Sequence, residues 1–104
     1  MREMPIACSL GGPALGRRQS ELRASILAEA QAVERIPDGY RWRFAHTSNL
    51  FARLGLLIDA ERDCCRFLRF ALSGDQDQGR VVLEITGPNG TVEFLESWIP
   101  PMLG

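Results

Sequence analysis

Hydrophobic and polar positions change period several times along the chain, and each change marks an element. In "PIACSL", residues 5–10, Ile6, Cys8 and Leu10 alternate with smaller residues, which predicts a first strand with Cys8 on its apolar side. "GGP" interrupts it. From Ala14 to Arg35 the chain is rich in Ala, Leu, Glu, Gln and Arg, and Leu15, Leu22, Ile26 and Val33 recur along one side, predicting a long amphipathic helix. "IPDGY" stops that helix, because proline cannot continue it and Asp-Gly favours a tight turn. In "YRWRFAH" Tyr40, Trp42, Phe44 and His46 then share one face while Arg41 and Arg43 take the other, the alternation of a half-exposed strand.

A second helix is predicted from about Asn49 to Phe67, with Ser48 as N-cap. Leu68, Phe70 and Leu72 alternate as a third strand, "GDQDQG" is a turn, and Val81, Leu83 and Ile85 form a fourth strand that closes a hairpin. After "GPNG", "TVEFLESW" is a short helix with Thr91 or Asn89 as its cap. The order β-α-β-α-β-β-α, without repeat or linker, predicts one α+β domain over residues 1–104: a mostly antiparallel four-stranded sheet with helices packed on one face. The opposite face, carrying Arg41, Arg43, Arg69, Glu84 and Thr86, is polar enough to meet water or a second copy of the chain.

Laid out at about 100° per residue from Leu50, the second helix places Leu54, Leu57, Ile58 and Leu68 within about 80° of one line, and Glu61 at about 20°. Cys64 and Cys65 fall at about 320° and 60°, astride the carboxylate. Asp59, Arg62, Asp63 and Arg66 lie opposite, on a solvated face. Buried cysteines alone are ordinary core residues. A carboxylate in a leucine stripe is different, since it must find donors, stay protonated or escape to water. Trp42, Tyr40, His46, Arg43 and Arg69 are the candidate donors or neighbouring acid–base groups.

If the first strand lies under this helix, Cys8 joins Cys64 and Cys65, and three thiols converge beside Glu61. Soft thiolates select zinc, copper(I) or mercury(II), so these cysteines are the candidate metal ligands. The C-x-x-C spacing of zinc ribbons and thioredoxin-like centres is missing. A disulfide between Cys64 and Cys65 would distort a regular helix, because neighbouring helical side chains diverge. With His46 as the single histidine, no site with two imidazoles exists within one chain.

Charge narrows the functions. The net charge is −1, and all twelve basic residues are arginine, which leaves none of the basic surplus of a nucleic-acid-binding surface. No segment has the length of a membrane span or the apolar core of a secretory signal, so a cytoplasmic protein with no membrane partner is expected. Three cysteines in such a reducing compartment argue against a disulfide framework and for free thiols, metal or redox chemistry.

"ACSL", "DGYRWRF", "ERDCCRFLRF" and "LEITGPNG" together resemble a family of small, largely uncharacterised bacterial proteins with the pattern A-C-S-L, E-x-x-C-C-x-F-L and a terminal G-P-x-G helix. Cys8, Glu61, Cys64, Cys65 and Phe67 fall on that pattern, and Arg66 stands where relatives often carry Pro or Ser. The resemblance implies an association with MerR-like and heavy-metal-resistance contexts. The leading expectation is thus a soft-metal-binding or thiol accessory protein, with no catalytic residue assigned. A homodimeric interaction module without an active site is the first alternative. A thiol-dependent enzyme or redox protein is the second, disfavoured because a buried carboxylate raises a neighbouring thiol's pKa.

Overall fold

The computed structural model describes residues 13–75 and 77–99, and for residues 13–19 and Cys64 the backbone alone. Its elements are α1 (Pro13–Leu27), β1 (Ala32–Ile36), β2 (Gly39–Ala45), α2 (Leu50–Cys64), β3 (Arg69–Asp75), β4 (Arg80–Thr86) and α3 (Thr91–Glu96). The strand expected over residues 5–10 lies outside the described residues.

The four described strands form one antiparallel sheet in the order β1-β2-β4-β3. Alternation assigns the faces. Trp42 pairs with Leu83, Phe44 with Val81 and Tyr40 with Ile85, so one face is continuously apolar. Leu50, Leu54 and Leu57 of α2, Ile26 and Leu27 of α1 and Leu95 of α3 pack with these residues into one core. The expected α+β domain, with an antiparallel four-stranded sheet and helices on one face, is what the chain adopts.

The main departure lies between the first helix and the second strand. The helix predicted to reach Arg35 ends at Leu27, and Ala32–Ile36 is strand β1, paired with β2 from Ala32 against Arg43 to Ile36 against Gly39. Ala, Glu and Arg are good helix formers, but intrinsic propensity is worth only a few tenths of a kcal/mol per residue (about 0–0.7), and pairing with a well-formed neighbour overrides it. "IPDGY" is accordingly a hairpin turn and not a helix stop. Gly39 is needed there because an added Cβ would overlap the Ile85 carbonyl oxygen. Leu22, expected inside, is 43% exposed, and the buried side of α1 is turned toward Ile26 and Leu27.

Helix ends also differ from expectation. Asn49, and not Ser48, caps α2 with a left-handed backbone (φ 66°), a conformation asparagine tolerates well. Gly90, with φ 100°, precedes α3 in place of Thr91 or Asn89. α2 stops at Cys64, three residues before Phe67, so Cys65 is a capping residue outside the helix.

Candidate functional site

Glu61 sits on α2 one turn after Leu57, in the leucine stripe, and is 1% exposed. Its partner is Arg23 of α1, whose Nη1 donates to Glu61 Oε1 at 3.0 Å. None of the expected donors takes that role. Arg43 bonds to Glu34, Arg69 is exposed, and His46 is exposed at the end of β2 in an open cavity with Phe51, Gly74, Asp75 and Asp77. Tyr40 is tilted against Trp42 with ring centres 6.1 Å apart. Trp42 is fully buried, yet its Nε1 has no hydrogen-bond partner, and neither does Glu61 Oε2 among the described residues.

Arg23 has a sequence signature that the leucine pattern hid. Counting from Leu22, Ile26 falls at about 40°, Arg23 at about 100° and Leu27 at about 140°, so the arginine occupies the middle of the buried arc. Its guanidinium also lies over the Trp98 ring at 4.2 Å, a cation–π contact. Trp98 meets Phe94 at 5.5 Å, and Phe94 meets Phe67 edge-on at 5.1 Å. These aromatics run from the segment just after Cys65 back to the arginine and cover one side of the charge pair, whose arginine keeps 17% of its side chain exposed.

Two opposed influences act on Glu61. Burial penalises the carboxylate and pushes its pKa up; the charge and hydrogen bond of Arg23 pull it down; burial wins, and the pKa is raised. The carboxyl therefore holds its proton more tightly than an exposed glutamate.

Cys65 follows directly. Its backbone N–H donates to the Glu61 carbonyl at 2.6 Å, and its own carbonyl accepts from Leu68 N–H at 3.1 Å, so the residue is fixed from both sides. It is fully buried and disulfide-bonded, which corrects the expectation of free thiols at this position. The chain has three cysteines, so within one molecule the partner sulfur belongs to Cys8 or Cys64. Cys8 lies outside the described residues, and Cys64 is described only as the last residue of α2. Regular helix through both residues would set the Cys64 and Cys65 side chains apart, but Cys65 (φ −117°, ψ 78°) lies outside the helix.

The Arg23–Glu61 pair thus lies on α1 and the last turn of α2, and Cys65 is tied to the Glu61 backbone by the hydrogen bond that ends the helix. The carboxyl is a buried acid with a raised pKa, four residues before the disulfide-bonded Cys65. Among the described residues, no group of three His, Cys, Asp or Glu side chains is placed to hold a metal ion, and no helix is long and apolar enough to cross a membrane. Comparisons with protein-family models, curated proteins and solved structures find no match.

Proposed function

We propose that this protein is a dithiol accessory module: Cys65 and a second cysteine alternate between disulfide and dithiol, and the dithiol binds a soft metal ion. The observation that carries the reading is a buried carboxyl with an unpartnered oxygen one turn before a fully buried, disulfide-bonded cysteine. A disulfide kept only as a staple has no use for that carboxyl, and a leucine would fill the place at lower cost.

An external dithiol supplies two electrons and two protons, is itself oxidised to a disulfide, and leaves two thiols here. The reduced pair then loses protons as it takes up zinc, copper(I) or mercury(II). Glu61, with its raised pKa, is suited to receive one of these protons and return it when the ion leaves. In a cytoplasmic setting the dithiol is the prevailing form.

Native mass spectrometry of the reduced chain with each ion tests the reading. One ion per chain, lost in Cys65→Ser and reduced in Glu61→Gln, is expected. Undiminished uptake by Cys65→Ser, or a disulfide that yields to reductant only when the chain unfolds, would replace the reading with a structural staple.

A further inference from the structure

The two edges of the sheet differ in a way that bears on assembly. β1 is a five-residue strand, whereas β3 runs over seven residues, Arg69–Asp75, and pairs on one side only among the described residues. Long bare edges are usually blunted by proline, by charges within the strand or by bulges. β3 has its charges only at its ends. Between Arg69 and Asp75 it reads F-A-L-S-G.

We infer that the β3 edge pairs with the β3 edge of a second copy of this chain, antiparallel about Leu72, to give a symmetric dimer with a continuous sheet. A two-fold axis at Leu72 sets Ala71 opposite Ser73, Phe70 opposite Gly74 and Arg69 opposite Asp75. The strand is complementary to itself in charge at both ends. The Gly74 position strengthens the fit. A Cβ there would come within 2.9 Å of the Phe51 ring, so that ring covers the glycine on the helix side of the sheet. Phe51 is 43% exposed and Phe70 is half-buried. Pairing brings Phe70 across from the glycine, beside the second copy's Phe51, and covers both rings, an aromatic filling the space a glycine leaves.

Asp75 is exposed, and its Oδ1 accepts the Gln78 N–H within the turn, which leaves the carboxylate within reach of a cation across the edge. The other edge does not support the same arrangement. Self-pairing of Ala32–Ile36 about its centre would set Glu34 against Glu34.

Sedimentation over a concentration series, with reductant present so that no intermolecular disulfide contributes, tests the inference. The unmodified chain is expected to dimerise. Arg69→Asp and Asp75→Arg should each weaken the dimer by about tenfold, since each turns two attractions into two repulsions, and the double reversal should recover most of that loss. Phe51→Ser should weaken it several-fold. Circular dichroism of each variant verifies that the fold is retained. A chain that stays monomeric to about 1 mM, a dimer indifferent to the single reversals, or a double reversal that recovers nothing would each overturn the proposal.

Discussion

The molecule carries two sets of Arg–Glu pairs with almost the same bond lengths and opposite energetics. On the outer sheet face Arg41 bridges Glu34 at 2.9 Å and Glu84 at 2.7 Å, and Arg43 reaches Glu34 at 2.7 Å. Under the helices Arg23 meets Glu61 at 3.0 Å. Outside, water already solvates the carboxylate, so the arginines only add to its stability and the Glu34 pKa is lowered, first through the Arg41 hydrogen bond. Inside, burial costs more than one arginine returns, and the Glu61 pKa is raised. Bond length does not reveal what an ion pair contributes; the surroundings do. The outer pairs cross strands on a wet surface and hold their carboxylate ionised, and the inner pair leaves a carboxyl that favours its proton.

Removing Arg23 should break the comparison most severely. Arg23→Met leaves Glu61 buried without its cation and is expected to cost about 3 kcal/mol at pH 8. The penalty should shrink as pH falls and Glu61 takes up a proton, which urea denaturation at several pH values would read. Trp98→Leu removes the ring beneath the guanidinium and leaves the ion pair; about 1 kcal/mol is expected beyond the lost packing. A double-mutant cycle with Arg23→Met isolates that share.

Glu61→Gln sharpens the contrast through its sign. A carboxyl whose folded pKa exceeds its unfolded value favours folding most at pH below the unfolded value, and loses that advantage as pH rises through the raised folded value. The stability of the wild type relative to Glu61→Gln should therefore fall with rising pH above about 4.5. Glu34→Gln should show the smallest effect and the opposite slope: its lowered pKa contributes above the unfolded value, and the contribution disappears as pH falls through the lowered one. Parallel slopes for the two variants would refute the distinction between the two faces.

Much of this architecture is written in local pattern. The alternation of Tyr40, Trp42 and Phe44, of Phe70 and Leu72, and of Val81, Leu83 and Ile85 defines strands whose faces the structure reproduces. The wheel of α2 placed Glu61 inside because its leucines recur without interruption. β1 was hidden because Ala32, Glu34 and Arg35 carry helix-favouring side chains, and only pairing with β2 decides their conformation. Arg23 was hidden for a related reason. It is separated from Glu61 by 38 positions, and nothing local tells a partly buried arginine from an exposed one until its partner is in place. The bonded state of Cys65 likewise depends on a second sulfur, which no helical period encodes.

Under the proposed function, Glu61 and the Cys65 sulfur exchange protons. The most direct test is the reduction potential of the Cys65 disulfide as a function of pH, in the wild type and in Glu61→Gln. A change of slope is expected in the wild type, above the ordinary glutamate range and absent from the glutamine variant. Superimposable curves would contradict it, and would leave Glu61 and Arg23 as a structural pair beside an inert disulfide.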